Sequence, residues 1–175
     1  MKKTILTMGI CGLFASTSVM ADEIETAGDI IQIAIPLTAL VATYTLDDPE
    51  GRKQFLWSYG STFAITHILK RTVNKERPDG SNTLSFPSGH TGSAFSGASF
   101  LQKRYGWDVG VPAYIAASFV GYSRVHAKKH DWVDVGAGAL LAVGMNQWFV
   151  TEKLDLDVGF MPIDKGWHVS LAMTF

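Results

Sequence analysis

The chain has 175 residues, of which 47% are hydrophobic and 18% are charged, and its formal net charge at pH 7 is −1. This length predicts a single domain. The charge balance argues against a nucleic-acid-binding protein, because such proteins concentrate positive charge on the binding face. A mean hydropathy of +0.14 argues against a chain that lies almost entirely within a membrane.

The N-terminal segment has the composition of a secretory leader. Two lysines precede an apolar run over residues 4–20, and a small residue, Ala21, follows it. This pattern predicts a signal peptide over residues 1–21 that is cleaved after Ala21; the alternative is an uncleaved transmembrane helix. Cys11 is the only cysteine and lies in this segment. The mature chain is therefore expected to contain no disulfide.

Five runs without Asp, Glu, Lys or Arg, or nearly so, follow the leader and predict five helices: Ile30–Leu46, Gln54–Leu69, Ser88–Gln102, Val109–Ser123 and Val135–Val150. Each is shorter than the ~20 residues that comfortably span a bilayer. Small residues four apart, such as Gly138 and Ala142, favour close helix packing. We expect a mainly α protein, a compact bundle of about five helices seated in or on a membrane.

The C-terminal residues follow a different pattern. Apolar and polar residues alternate on both sides of the segment from Pro162 to Gly166. Alternation with this period predicts a β-hairpin. The predicted organisation is a leader (1–21), a helical domain (22–153) and a hairpin tail (154–175). Because two strands cannot close a barrel, the hairpin is expected to pack on the bundle or lie at the membrane interface.

Three stretches collect polar side chains in a chain that is otherwise largely apolar and rich in glycine: Lys70–Pro78, Pro87–His90 and Ser123–Asp134. The cations that they supply include Lys70, Arg77 and Arg124. Arginine matches phosphate oxygens in pairs, and lysine adds a compact point charge. This combination predicts a site for a phosphoryl group.

The other polar groups of the three stretches extend this prediction. Ser88, Gly89 and His90 follow a proline and open a helical run, so their amides are expected at a positive helix end that holds anions. His130 and Asp134 are four residues apart, which places them on one face if the segment is helical. The carboxylate would then fix one imidazole tautomer and leave the other nitrogen as a nucleophile.

The order and spacing of the three stretches resemble the three-part signature of the type 2 phosphatidic acid phosphatase (PAP2) superfamily. The matching positions are Lys70, Arg77 and Pro78, then Pro87, Ser88, Gly89 and His90, then Ser123, Arg124, His130 and Asp134. This superfamily includes bacterial class A acid phosphatases, membrane lipid phosphatases and vanadium haloperoxidases. Flanking helices extend the likeness over roughly residues 54–150.

The resemblance implies a role for each matching residue. It makes His130 the nucleophile, oriented by Asp134, and His90 the general acid that protonates the leaving oxygen. It makes phosphate ligands of Lys70, Arg77, Ser88, Gly89 and Arg124, with Ser123 in a supporting role. It implies no metal and no cofactor, since cations and helix-end amides can stabilise a phosphoryl transition state.

Some residues depart from the signature or lie outside it. Asp131 and Trp132 follow the predicted nucleophile where the family often has an aromatic and then a small residue, and a carboxylate there could raise the pKa of a nearby imidazolium or repel an anionic substrate. His67 is interpreted as a hydrogen-bonded core residue. His168 lies on the polar face of the predicted hairpin and needs no role.

The resemblance implies an exported phosphatase of the bacterial cell envelope, with its site facing the periplasm. The expected substrates are lipid phosphates or diphosphates such as phosphatidate, phosphatidylglycerophosphate, undecaprenyl diphosphate or lipid A, and vanadate is expected to inhibit. No nucleic-acid partner is expected. Three alternatives stay open: a soluble periplasmic acid phosphatase of broad specificity, a vanadate-dependent haloperoxidase, and an outer-membrane structural protein.

Overall fold

The structure, a computed structural model, describes the backbone of residues 4–153, 155–163 and 166–174, and the side chains of residues 22–153. The described residues contain five helices: α1 (Thr4–Thr45), α2 (Pro49–Val73), α3 (Gly89–Tyr105), α4 (Trp107–His126) and α5 (Trp132–Phe149). The prediction of a mainly α protein with five helices is confirmed.

Helix ends follow local sequence signals. Asp48 caps α2 by accepting a hydrogen bond from Gly51 N, and Asn74 ends it in the left-handed conformation. Gly106, with φ +93°, is the single residue between α3 and α4. The predicted helix bounds are too narrow, most of all for α1, because charged residues were treated as helix ends. Glu, Lys and Arg are good helix formers and continue a helix readily.

The helices run alternately up and down, so residues distant in sequence meet at each end of the bundle. α3 packs against all four other helices. Its contact with α5 depends on Gly138, where an added Cβ would lie 2.5 Å from the carbonyl oxygen of Ser88. The small residues at this contact allow close approach, as the sequence predicts.

A buried ion pair between Asp48 and Arg104 stabilises one end of the bundle, where α2 begins. The Arg104 guanidinium donates two hydrogen bonds of 2.7 Å to the Asp48 carboxylate. Arg104 also donates to the carbonyl oxygen of Thr151, beyond α5. Next to this pair, Phe55 and Phe100 pack edge to face with ring centroids 5.0 Å apart.

The segment Asp22–Thr45 of α1 is, by length and composition, apolar enough to cross a membrane, with a mean hydropathy of 1.4. The signal peptide and its cleavage site stay a prediction. In the tail, β1 (Asp155–Ile163) and β2 (Gly166–Thr174) pair antiparallel, with Asp155 opposite Thr174 and Ile163 opposite Gly166. Residues 164 and 165 of the predicted turn and the side chain of His168 lie outside the described residues.

Candidate active site

A cavity of about 270 Å³ opens at the end of the bundle opposite the Asp48–Arg104 pair. Five of the predicted site residues line it: Lys70, Arg77, Gly89, His90 and His130. They come from the end of α2, the loop after it, the start of α3 and the loop before α5. The fold therefore brings all three sequence stretches to one place.

His130 does not share a helix with Asp134. Asp131 caps α5, with the Asp134 side chain completing the capping box, so His130 lies in the preceding loop and the helical i, i+4 prediction is wrong. The two side chains still meet, with His130 Nδ1 3.6 Å from Asp134 Oδ2. Because Asp131 is the N-cap, α5 begins at Trp132, two residues after the histidine.

Ser85 connects the imidazole to the carboxylate. Its hydroxyl donates to Asp134 Oδ2, and its oxygen lies 3.4 Å from His130 Nδ1. Because a hydroxyl has one proton and that proton faces the carboxylate, the Ser85 oxygen is an acceptor for Nδ1–H. This assignment leaves His130 Nε2 unprotonated, with a lone pair available for attack.

Lys75 neutralises the carboxylates beside the site. Its Nζ donates to Asp134 Oδ1 at 2.8 Å and also to Asp131. Hydrogen bonds from Lys75 and Ser85 lower the pKa of the buried Asp134 against the opposing effect of burial. Asp131 is thus held by Lys75 and by its capping role, so it does not act as the free carboxylate that the sequence suggested.

Burial dominates the titration of both cavity histidines. The pKa of His130 falls to about 4, first because of burial and then because Lys70 and Arg77 repel the imidazolium, although Asp134 opposes the shift. Burial and then Arg124 lower the pKa of His90. The unliganded site therefore holds two neutral imidazoles at neutral pH.

Two cations border the cavity directly. Lys70 Nζ donates to the carbonyl oxygen of Leu84 at 2.8 Å, and burial together with Arg77 lowers its pKa to about 8. Within residues 22–153, the buried Nε of Arg77 has no hydrogen-bond partner. An unpartnered guanidinium donor beside a cavity is suited to an anionic oxygen.

The start of α3 forms the wall between the cations and His90. Ser88 is the N-cap, and its buried hydroxyl accepts hydrogen bonds from Thr91 N and Thr91 Oγ1. Ser88 N donates to the carbonyl oxygen of Asp134 at 2.9 Å. Ser88 therefore supports the helix end, whereas Gly89 and His90 face the cavity.

Arg124 lies behind this wall and is held by α1. Its guanidinium lies 2.8 Å from Asp29 Oδ1 and donates to the carbonyl oxygen of Glu25 at 2.6 Å. Its Nε donates to Ser123 Oγ, so Ser123 contacts the guanidinium. α1 comes this close because Gly28 has no side chain; an added Cβ would lie 2.0 Å from Ser123 Oγ.

Sequence reasoning missed several contributors and also misinterpreted His67. The missed side chains are Glu25, Asp29, Lys75 and Ser85. Glu25 and Asp29 are four apart just after the apolar leader, a spacing that puts two carboxylates on one helix face and could have drawn attention. His67 is half-buried, lines the cavity and packs on the Phe63 ring, so its interpretation as a core histidine is wrong.

Within residues 22–153, no group of three or more His, Cys, Asp or Glu side chains is arranged to hold a metal ion. The cavity instead gathers an unprotonated imidazole nitrogen, a second imidazole, two cations and a helix N-terminus. Groups of these kinds are suited to binding an anionic phosphate ester. The fold and site define the class: a helical-bundle protein with a cationic cavity suited to a phosphate group.

The family model described as the PAP2 superfamily matches residues 53–153. The chain belongs to the PAP2 superfamily and is a phosphatase. Family membership sets aside the structural-protein hypothesis that the tail suggested.

Curated relatives and a solved structure agree with this membership. The chain is 27% identical over 139 residues to a lipid A 4'-phosphatase of Helicobacter pylori, covering 73% of this chain and 70% of that protein. It is 38% identical over 78 residues to a lipid A 1-phosphatase of Porphyromonas gingivalis, covering 42% of this chain but 17% of that protein. The crystal structure of Aquifex aeolicus LpxE superposes with a TM-score of 0.65 at 20% identity, covering 75% of this chain and 86% of that one.

Proposed function

We propose that the protein removes phosphate from membrane lipids through a phosphohistidine intermediate on His130. The observation that carries this proposal is the shared cavity, where Lys70 and Arg77 face an imidazole whose free nitrogen is Nε2. The two relatives named as lipid A phosphatases make a phosphorylated glycolipid of the lipid A type the first substrate to test. Phosphatidate, phosphatidylglycerophosphate and undecaprenyl diphosphate follow.

In the first step, His130 Nε2 attacks phosphorus and the bond from phosphorus to the leaving oxygen breaks. His90 gives its proton to that oxygen, so the lipid leaves as an alcohol. In the second step, His90 takes a proton from water, the resulting hydroxide attacks phosphorus, and the nitrogen–phosphorus bond breaks to release phosphate. Asp134, through Ser85, stabilises the positive charge that develops on the His130 ring.

Substrate binding is expected to promote protonation of His90, the proposed general acid. Burial lowers the pKa of His90 most, and three cations, Arg124, Arg77 and Lys70, lower it further. A bound phosphate dianion places negative charge among these cations and so raises the pKa of His90. Protonation of His90 is thereby coupled to binding, and positive side chains supply the charge stabilisation that metal ions supply in other phosphatases.

We further propose that the enzyme is exported and associated with the membrane of the cell envelope, with its site facing the periplasm. The leader-like composition of residues 1–21 and the apolar helix segment Asp22–Thr45 support this location. The cavity borders α1, so a lipid held near that helix has a short path to the cations.

Phosphate release in EDTA tests the proposal, with lipid A, phosphatidate and p-nitrophenyl phosphate as substrates. Wild type and His126→Ala, which changes an exposed histidine at the end of α4, are expected to release phosphate from the lipids, and vanadate should inhibit both. His130→Ala should lose turnover and also the labelled phosphoryl enzyme trapped by an alkaline quench.

Normal turnover by His130→Ala would contradict the nucleophile assignment. Activity confined to p-nitrophenyl phosphate would favour the soluble acid phosphatase. If wild type releases phosphate from none of the substrates, peroxide-dependent halide oxidation with vanadate becomes the next assay, because the haloperoxidases share the signature.

A further inference from the structure

The cavity continues beyond the cations, between α2 and α3. Besides its charged residues, the cavity is lined by the polar, uncharged side chains of Gln32, Tyr59, Thr62, Thr66, Ser93 and Ser96, together with Phe63 and His67, and these side chains are called the inner wall. Tyr59 and Ser93 share a hydrogen bond of 2.9 Å, and Ser93 donates to the carbonyl oxygen of Gln32. The cavity therefore has one charged end and one end that offers neutral hydrogen-bonding groups.

Two hydroxyls of the inner wall are buried without a partner. Thr66 is 4% exposed and Ser96 is fully buried, and neither Oγ atom has a hydrogen-bond partner among the described residues. Thr62 on the same wall donates to the carbonyl oxygen of Ser58 at 2.9 Å. Buried hydroxyls nearly always pair with protein groups, ordered water or a ligand, so the two on this wall are candidates for binding a polar group in the cavity.

Thr66 lies close to the predicted phosphate position. It is one helical turn before Lys70, and its Cγ2 lies 3.8 Å from where a Cβ on Gly89 would be. Gly92, one turn further along α3, also faces Thr66 without a side chain. An added Cβ at either glycine would be in ordinary contact with the Thr66 side chain, 3.8 Å away, so Thr66 lies against the start of α3.

We propose that Thr66 and Ser96 form a subsite for the sugar ring that carries the phosphate, so that the enzyme selects phosphorylated glycolipids over phosphorylated glycerolipids. This inference rests on the proposed function. An acyl chain in the inner cavity would leave both hydroxyls unsatisfied. A second phosphate would find no lysine or arginine among the described residues of the inner wall, whereas a neutral polyhydroxylated ring matches it.

The size of the cavity limits what enters. About 270 Å³ is just below the range of roughly 300–1,000 Å³ that is typical of small-molecule sites. That space suits one sugar ring together with its phosphate, and the rest of the lipid stays outside the cavity.

The test is the ratio of kcat/KM on lipid A to kcat/KM on phosphatidate, measured in the same detergent micelles. Thr66→Val and Ser96→Ala each remove one free hydroxyl with little change of shape, and each should lower the ratio about tenfold, as expected for one hydrogen bond. Thr62→Val is the matched control, since its hydroxyl is already paired, and it should keep the wild-type ratio. Thermal unfolding verifies that all variants are folded.

An unchanged ratio in Thr66→Val and Ser96→Ala would overturn the subsite. A parallel fall on both lipids would mean that the hydroxyls contact the phosphate, which also overturns it. Wild-type activity on phosphatidate with none on lipid A would reject the subsite while the proposed lipid phosphatase stands. Absence of lipid hydrolysis by the wild type would instead reject the proposed function.

Discussion

Asp29 Oδ1 of α1 lies 3.1 Å from Nε2 of His90, the residue proposed to protonate the leaving oxygen. The same oxygen lies 2.8 Å from the Arg124 guanidinium. Asp29 is the carboxylate that raises the pKa of His90 against burial and the surrounding cations. The first helix of the bundle thus contributes directly to the electrostatics of the site.

Asp29→Asn is expected to lower kcat on lipid substrates about tenfold and p-nitrophenyl phosphate hydrolysis by less. Removing the carboxylate lets burial, Lys70, Arg77 and Arg124 lower the pKa of His90 further, so less acid is protonated at a given pH. The alkaline limb of the kcat profile should move to lower pH. Glu23→Gln, an exposed carboxylate on the same helix, is the control; an unmoved limb in Asp29→Asn would contradict this role.

The pH profile of kcat/KM for the wild type should be bell-shaped, with its maximum on the acidic side of neutrality. The nucleophile His130 must be neutral, and its pKa of about 4 places the acid limb of kcat/KM near pH 4. His90 must be protonated and its pKa is lowered from 6.5, so the alkaline limb of kcat/KM lies below pH 6.5. Because bound phosphate raises the pKa of His90, the alkaline limb of kcat should lie at higher pH than that of kcat/KM. If the alkaline limbs of kcat and kcat/KM coincide, substrate binding does not raise the pKa of His90.

Ser85→Ala should reduce kcat about tenfold with little change in KM. The substitution removes the hydroxyl that accepts from His130 Nδ1 and donates to Asp134, so the productive tautomer loses its support. Ser118→Ala removes an exposed hydroxyl on α4 and serves as the control. Ring nitrogen chemical shifts of His130 would detect the change of tautomer, and an unchanged tautomer in Ser85→Ala would refute the assignment.

Lys75→Met should reduce activity by at least tenfold, since charge-assisted hydrogen bonds contribute about 1.5–3 kcal/mol each. Lys75 lowers the pKa of the buried Asp134, so its loss raises that pKa, and the acid limb of the kcat/KM profile should move to higher pH. Lys53→Met, which breaks an exposed pair with Glu50, is the matched control. If the acid limb stays in place, Lys75 is not the counter-ion that keeps Asp134 charged.

Asp48→Asn should lower the free energy of unfolding by about 3–5 kcal/mol, because it leaves the Arg104 charge buried without its partner. In the wild type, hydrogen bonds from Arg104 lower the pKa of Asp48 from 3.8 to about 2. The stabilisation is therefore complete above pH 3.8 and is lost as pH falls towards 2. Denaturant unfolding at pH 6 measures the loss, with Glu50→Gln as an exposed control expected to change stability by less than about 0.5 kcal/mol. If Asp48→Asn lowers the free energy of unfolding by less than about 1 kcal/mol, the ion pair does not stabilise this end of the bundle.

The sequence alone determined the helical bundle and several of the residues that border the cavity. Lys70, Arg77, His90 and His130 were predictable because they lie at helix ends or in loops within short motifs, where residue type and spacing decide the chemistry locally. The helix containing both His130 and Asp134 was predicted wrongly because a capping residue, Asp131, competes with continued helix at that point.

Only the tertiary structure decided the partners of these residues. Lys75 and Asp134 are separated by 59 residues, and Arg124 and Glu25 by 99. Such pairs form because antiparallel helices bring their ends together. No local sequence pattern predicts which side chains then meet. The same holds for Thr66 and Ser96. Only the structure shows that both residues line one cavity and that their hydroxyls have no partner among the described residues.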